Sequence, residues 1–352
     1  MPLNAGEIAK ISKTAITAYG KNKPIDQINV ERPLLDILVP KAKDLVSGPD
    51  GWTINVFKAN DGNGQYYSGN GKVTYNSRNP NELAKYNHTN FHDGFVLNED
   101  ELFRNGIKVN DDIGKSTATK SEVIQLTNML ESQFMALEEG AKDFIHAALW
   151  LDGSQYADAV PGIDALVSTT PSSGTIGGIP ASNAYWQNIA RTGLGTTLAV
   201  LLDAMEQSKR DIIRRKGRFT HIFVGSAFYD ALRNAVIAAN VTQITYGGGS
   251  KLNIDMATDT IKFDGIPLTY VPDFDTNFGL SAPTIPWTKR CYFLNLNQAA
   301  DTGVVLRAAK EDFMKMRYPG RPIDQYTYHF AMTAKWGIGV GKRNSNAVLA
   351  IA

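Results

Sequence analysis

Apolar residues recur every three or four positions from Thr119 to Trp150, and this spacing predicts one amphipathic helix. At a rise of roughly 1.5 Å per residue the helix is about 45 Å long, well beyond the usual three or four turns. Its predicted apolar stripe consists of Val123, Leu126, Leu130, Phe134, Leu137, Ala141, Phe144 and Ala148. A single stripe without heptad regularity indicates a helix that lies across a sheet rather than a coiled coil.

The segment before this helix, residues 51–110, is polar and rich in Gly and Asn. Its predicted strands are Trp52–Phe57, Lys72–Tyr75 and Phe91–Leu97, and turn sequences separate the first two. Because the segment has few large aliphatic residues, it cannot bury much of its own surface. We therefore predict an extended β-ribbon that projects from the fold and needs a partner surface. The first 50 residues resemble an arm of short helices and extended links, in which the apolar stretch Pro33–Val39 also needs a surface to lie on.

Helix and strand patterns alternate after the long helix, which predicts an α/β lobe. The predicted elements are a helix at Thr196–Lys216, a strand at Thr220–Gly225, a helix at Ser226–Ala239, and strands near Ile261–Phe263 and Leu268–Val271. The last 50 residues return to strand patterns rich in aromatic residues. We expect these C-terminal strands to pair beneath the long helix and to close the first lobe.

Composition excludes several classes of protein. The 352 residues carry 36 Lys and Arg against 35 Asp and Glu, a net charge of +1, so no sequence-wide field attracts nucleic acid or membrane. The single cysteine, Cys291, rules out an intramolecular disulfide framework and suits a reducing cytoplasm. No stretch approaches the roughly 20 apolar residues of a membrane span, so we expect no membrane association.

No residue pattern predicts catalysis. Gly69–Lys72 lacks the remaining residues of a phosphate-binding loop, and His88, His92 and Asp93 lie in a strand-like context where metal-ligand spacing fails. Cys291 lies in an apolar strand without an adjacent base, as inert thiols do. We therefore predict no catalytic residue, no metal site and no cofactor, and a protein that is not an enzyme.

One charge cluster stands out, the basic run that contains Arg210, Arg214, Arg215 and Lys216. Solvation at the end of a helix explains such a run, since cations favour the helix C-terminus. A contact with another subunit or with DNA explains it equally, and the sequence leaves these alternatives open.

The stretch Ile176–Asn188, a Gly-Gly-Ile turn followed by small residues and an aromatic-Trp-x-Asn cluster, resembles the major capsid proteins of tailed bacteriophages. The arm sequence Arg32–Leu35 and the turn Gly48–Gly51 are also similar to that family. The order of arm, ribbon, long helix, α/β lobe and closing strands matches it over nearly the whole chain.

This resemblance implies an α+β fold of the Hong Kong 97 type. Its parts would be an N-terminal arm at residues 1–50, an extended loop at 51–110, and a peripheral domain at 111–194 and 301–352 with a spine helix at about 119–150. An axial domain would occupy 195–300. The protein would self-assemble as hexamers and pentamers into an icosahedral shell that encloses double-stranded DNA without sequence-specific binding, and it would be a virion component made in the cytoplasm of a host bacterium.

The resemblance also implies contact residues and partners. Subunit contacts are expected at Trp52, Tyr66, Tyr67, Lys72 and Tyr75 of the ribbon and at Leu34 and Leu35 of the arm; the loop Tyr246, Gly247, Gly248 and Gly249 would approach the capsomer axis. We expect a separate scaffolding protein, because the chain begins almost at the arm, together with a portal; the sequence leaves open whether a decoration protein binds the shell. Lys72 and Lys85 are available for a cross-link, but no acceptor motif accompanies them, so none is predicted.

Two alternatives remain. An encapsulin-type compartment has the same fold with protein cargo, and it would show an apolar peptide groove between arm and spine helix. A cytosolic enzyme or ligand-binding protein would use the Gly-rich loops around Gly177 and Gly248, and it would need a pocket with convergent polar groups.

Overall fold

A computed structural model describes residues 3–4, 30–45, 51–104, 109–110, 120–238, 252–255, 260–298, 301–320 and 325–352. The chain forms two compact units. Unit 1 consists of residues 1–30, 89–146 and 308–336, and unit 2 of residues 31–88, 147–307 and 337–352. Both units combine helices with strands, as the predicted α+β class requires.

Among the described residues the helices are α1 (Pro33–Leu38), α2 (Glu99–Arg104), α3 (Lys120–Trp150), α4 (Ile163–Leu166), α5 (Leu198–Arg214) and α6 (Ser226–Ala238). The strands are β1 (Leu3–Asn4), β2 (Lys43–Asp44), β3 (Trp52–Phe57), β4 (Asn81–Tyr86), β5 (Thr89–Asn98), β6 (Val109–Asn110), β7 (Thr175–Ile176), β8 (Ile179–Pro180), β9 (Ile189–Leu194), β10 (His221–Val224), β11 (Leu252–Asp255), β12 (Thr260–Phe263), β13 (Ile266–Tyr270), β14 (Arg290–Leu294), β15 (Val304–Ala308), β16 (Lys315–Gly320), β17 (Thr327–Val340) and β18 (Ala347–Ile351).

Unit 1 is built on the long helix α3, whose predicted limits are confirmed within one residue. Strand β17 pairs antiparallel with β5 on one side and with β16 on the other. The core is aromatic: the ring centroids of Phe95 and Phe330 stack at 4.8 Å, and Phe134 of α3 packs 5.6 Å from each of them. The long helix therefore does lie on a sheet in this unit.

The buried stripe of α3 departs from the prediction near its end. Leu130, Phe134, Leu137 and Ala141 are buried as predicted, but Phe144 is 40% exposed. Ile145 follows Ala141 by four residues and is fully buried in its place. From Leu137 onward the buried positions follow in steps of four, through Ala141 and Ile145 to Leu149, so the buried face drifts around the helix axis instead of running straight.

Unit 2 contains a sheet of seven described strands in the order β11-β12-β13-β10-β14-β18-β9. Pairs β10–β13 and β9–β18 are parallel, and the other pairs are antiparallel. Helices α5 and α6 contribute Leu201, Met205 and Phe228 to a core with Ile222 and Phe293 of the sheet. The predicted helix-strand alternation is confirmed here, with α5 beginning after Thr197.

The expectation that the C-terminal strands close the first lobe is wrong for β14. Strand β17 pairs in unit 1 up to Trp336, but β14 and β18 lie side by side inside the seven-stranded sheet. Every residue of β14 and of β18 is buried. Strands without a polar face need apolar cover on both faces of the sheet. For β14, Phe293 packs in the core with residues of α5 and α6, and Tyr292, the next residue back and so on the other face, packs 5.5 Å from the ring of Trp150.

The ribbon differs from the prediction in two respects. Strand β3 has the predicted limits, but it pairs antiparallel with β4, and residues 58–80 between them have no regular strand at Lys72–Tyr75. The predicted strand Phe91–Leu97 exists within β5, but it pairs with β17 instead of extending the ribbon. We call β3 and β4 the stem of the ribbon and residues 58–80 its tip.

Replacement of Phe134 by Ala should lower the free energy of unfolding by about 3–5 kcal/mol, since it removes a fully buried ring between two others. Chemical denaturation of unassembled protein measures this loss. The control is Phe103→Ala, which removes an exposed ring and should change stability by no more than about 0.5 kcal/mol. Equal effects of both substitutions would contradict the aromatic core.

The thiol of Cys291 should not react with water-soluble thiol reagents in the native protein. It lies fully buried in β14, and burial alone raises its pKa far above the usual range. Colorimetric titration should detect one thiol per chain only after denaturant is added. Rapid labelling of the native protein would contradict the burial.

Candidate assembly interface

The ribbon stem is two-faced. Along β3 the side chains of Trp52, Ile54 and Val56 are buried, while the residues between them are exposed. In β4 the buried residues are Ala84 and Tyr86, and Ala84 pairs with Ile54 in the antiparallel register. The stem thus has one face packed on its own subunit and one face left for solvent or a partner.

The tip has almost no buried surface. Nearly all of its residues are exposed, including the large rings of Tyr66, Tyr67 and Tyr75. Side chains make many of its internal hydrogen bonds: Asn63 Nδ2 donates to the carbonyl of Thr74 at 2.7 Å, and Gln65 Nε2 donates to the same carbonyl at 3.1 Å. Three exposed tyrosines on a segment without a core of its own are typical of a surface that contacts another protein.

Aromatic packing fixes the root of the stem, the end at which Trp52 pairs with Tyr86. The rings of Trp52 and Tyr86 lie 5.1 Å apart, and the guanidinium of Arg307 lies 4.5 Å above the Trp52 ring. The hydroxyl of Tyr86 donates to the carbonyl of Val340 at 2.8 Å. A side chain at Gly339 would lie 2.6 Å from the Tyr86 ring, so glycine is required for this approach.

The Gly-Gly turn of the capsid-like motif packs against the same root. Gly177 has a φ of 60°, and a Cβ on it would lie 3.1 Å from Cζ of Tyr86 and 3.2 Å from Cβ of Ala84. Its carbonyl accepts a hydrogen bond from the amide of Lys85 at 2.8 Å. We call the residues that hold the stem, Gly177, Tyr185, Arg307, Gly339 and Val340, the socket.

A polar contact closes the outer side of the socket. The hydroxyl of Tyr185 donates to Oε2 of Glu82 at 2.5 Å, and Lys58 Nζ lies 3.8 Å from the same oxygen. Burial, with the Glu82 carboxylate as a further cause, raises the pKa of Tyr185 to about 12. Tyr185 therefore keeps its proton at neutral pH and remains a hydrogen-bond donor to the stem.

A buried arginine, Arg343, holds the backbone of the capsid-like motif and of the residues before it. The guanidinium of Arg343 donates to the carbonyls of Leu166 at 2.8 Å, Trp186 at 3.0 Å and Pro171 at 3.1 Å. Burial lowers its pKa to about 10, so it is still a cation at neutral pH. The indole of Trp186 in turn donates to the carbonyl of Ile176 at 3.0 Å, which ties the motif's tryptophan to its own turn.

The residues expected at subunit contacts fall into two groups. Tyr66, Tyr67, Lys72 and Tyr75 are exposed on the tip, where a neighbour can reach them. Leu34, Leu35 and Trp52 are buried within their own unit, so in this structure they stabilise the subunit itself. The loop Tyr246, Gly247, Gly248 and Gly249 lies outside the described residues.

Sequence reasoning missed most of the socket. Arg307 of the socket and Tyr86 of the stem come from strands far apart in the sequence, and no local pattern joins them. Arg343 follows an apolar strand with no neighbouring acid, which gives no sign of a buried cation. The one available signal was the Gly-Gly pair at Gly177, since paired glycines mark a turn with positive φ.

The described residues include no group of three or more His, Cys, Asp or Glu side chains that could hold a metal ion. Within the same part of the chain, none of the helices combines the length and the apolar character that crossing a bilayer requires.

The substitution Gly177→Ala should loosen the root of the stem, whereas Gly178→Ala should not. Both glycines have positive φ, so alanine strains the backbone at each site by about 1–2 kcal/mol. Only at Gly177 does the added Cβ also press on Tyr86 and Ala84, whereas nothing lies within 4 Å at Gly178. Denaturation should therefore show a further loss of about 1–3 kcal/mol for Gly177→Ala. Equal losses in the two variants would contradict the socket.

Comparison with known proteins gives structural matches only. No protein-family model matches the sequence, and no curated protein is significantly similar to it. The structure is similar to "Cyanophage A-1(L) capsid asymmetric unit", with a TM-score of 0.60 and 13% identity over 94% of this chain and 96% of that chain.

Two further matches agree with the first. The structure titled "The capsid of Myoviridae Phage XM1" has a TM-score of 0.55 and 13% identity, covering 94% of this chain and 95% of that chain. "Capsid of empty GTA particle computed with C5 symmetry" has a TM-score of 0.52 and 11% identity, covering 97% and 99%. Similarity over nearly the full length of each protein shows that the chain has the Hong Kong 97-type fold of phage capsid proteins.

Proposed function

We propose that the chain is a major capsid protein that self-assembles, as hexamers and pentamers, into an icosahedral shell enclosing phage double-stranded DNA. The observation that carries this proposal is a tip of exposed tyrosines on a stem whose root is fixed in a socket. The stem is held in place by its own subunit, yet the tyrosine rings of the tip remain in solvent. Such a subunit is incomplete until a second copy covers those rings. The capsid fold supports the same conclusion.

Self-association explains why the tip need not be stable alone. Each ribbon contact is small, but closed symmetry repeats it around every capsomer. Many weak contacts together hold a shell that a single contact could not hold. Residues 1–50 would act as an arm on a neighbour, and the loop Tyr246–Gly249 would approach the capsomer axis. The domain limits from the sequence, 51–110 for the extended loop and 195–300 for the axial domain, remain part of this proposal.

The proposal includes partners outside the chain. A separate scaffolding protein would guide assembly, and a portal would occupy one vertex. The protein would be made in the bacterial cytoplasm and end in the virion. It would act through geometry alone, with no catalytic step and no cofactor.

Purified protein should form closed shells or capsomer-sized rings in negative-stain electron microscopy, with a matching fast fraction in sedimentation. Particles that contain DNA when produced with the neighbouring gene products support the phage capsid. Particles filled with a specific enzyme would instead support the encapsulin alternative. A compact monomer under all conditions would contradict self-assembly.

Replacing Tyr66, Tyr67 and Tyr75 of the tip by Ser should abolish or strongly reduce particle formation without unfolding the subunit. The three rings are exposed, so their loss removes only surface that a partner would cover. The matched control replaces three exposed aromatic residues elsewhere, Phe103, Tyr156 and Tyr326, by Ser. Microscopy reports assembly, and circular dichroism with thermal unfolding reports the fold. Normal particles from the tip variant, or equal loss in the control, would contradict the role of the tip.

A further inference from the structure

The C-terminal end of α5 and the residues that follow it carry a cluster of cations. Arg214, Arg215, Lys216 and Arg218 belong to this stretch, and Lys342 joins them from the turn after β17. Nζ of Lys342 donates to the carbonyl of Lys216 at 2.9 Å, and this bond holds the two segments of the chain together. We call these five residues the basic end; all belong to unit 2.

The cations that precede the basic end each have a carboxylate partner. The ion pairs are Arg191 with Asp211 at 2.6 Å, Lys209 with Asp264 at 2.6 Å, and Arg210 with Asp203 at 3.8 Å. No described carboxylate lies within ion-pair distance of any member of the basic end. The run that looks uniform in sequence is thus divided into a paired half and an unpaired half.

The backbone of the basic end is fixed. The amide of Gly217 donates to the carbonyl of Ile212 at 2.9 Å, and the amide of Lys216 donates to that of Ile213 at 2.8 Å. Lys216 has a φ of 55°, and a Cβ on Gly217 would lie 2.9 Å from Cβ of Ser345. A capped helix end packed on a second turn presents its exposed cations from a rigid base.

The charge of the basic end is not balanced within the described residues. Burial lowers the pKa of Lys342, and the charge of Lys216 lowers it further, which is the signature of like charges held together. The helix C-terminus contributes only about half a negative charge. Half a charge explains one cation at this position, but not five.

We propose that the basic end binds the phosphate backbone of double-stranded DNA. Phosphates are recognised by cations on a fixed backbone without a shaped pocket, which is what these residues offer. A protein interface would require an apolar centre, and the large apolar side chain exposed within the stretch is Ile213 alone, at 57%. The inference rests on the proposed function, since the shell supplies the DNA, and it assigns the surface that faces it.

The test compares two variants with equal loss of charge. Arg214→Gln with Arg218→Gln removes two exposed members of the basic end and leaves Lys216 to hold Lys342. Lys310→Gln with Lys315→Gln removes two exposed lysines of unit 1. Fluorescence anisotropy with a short DNA duplex of arbitrary sequence is measured over a range of salt, at protein concentrations where sedimentation shows unassembled subunits.

We expect the slope of log affinity against log salt to become shallower by about 2 in the first variant and to stay unchanged in the second. Equal slopes in the two variants, or no binding by the unmodified protein, would overturn the inference. Unchanged DNA binding with loss of particles in the first variant would also overturn it, because the basic end would then be a subunit contact. Particle formation by the unmodified protein is scored separately by microscopy, so failure of the proposed function is recognised independently.

Discussion

The approach of the Tyr86 ring to two glycines is the interaction on which the ribbon depends. A Cβ at Gly339 would lie 2.6 Å from the ring and collide with it, and a Cβ at Gly177 would make a tight contact of 3.1 Å. The hydroxyl then reaches the carbonyl of Val340, so the ring is held by shape and by a directional bond. A hairpin of two strands is marginal alone in water, and this docking provides the third surface that it needs.

Support for the docking extends through unit 2. The turn that carries Gly177 is tied down by the indole of Trp186, and the carbonyl of Trp186 is held by the buried guanidinium of Arg343. Three backbone carbonyls accept hydrogen bonds from that cation, which spreads its charge over them. The capsid-like motif is therefore a structural support of the ribbon, and this role explains its glycines and its tryptophan.

The sequence predicted the elements whose information is local. The long helix, strand β3 and helix α5 follow from periodicity and caps, and their limits agree closely with the structure. Strands β14 and β18 could not be placed in the same way, because an apolar run indicates burial on both faces but not which sheet provides it. The tip was correctly predicted to lack a core, although side chains, and not a strand ladder, make many of its hydrogen bonds.

The candidate site was predictable only in part. Tyr66, Tyr67 and Tyr75 are exposed as a contact surface requires, whereas Trp52 looked like a contact residue and is buried. An aromatic residue at a strand start gives no sign of which face it occupies until its partner strand is known. The socket brings the Gly177 turn, β15 and β17 against the stem, so contacts between distant parts of the sequence decide it.

The bare tip also bears on how accurately a shell can be built. A segment with no buried surface loses conformational freedom only when a neighbour covers it, and that cost is subtracted from each contact. Individual attachments are then weak enough to reverse, so a subunit that joins at a wrong angle leaves before its neighbours trap it. Correct copies stay because several contacts form together. A segment that is covered only by a neighbour would in this way favour correctly placed subunits during growth.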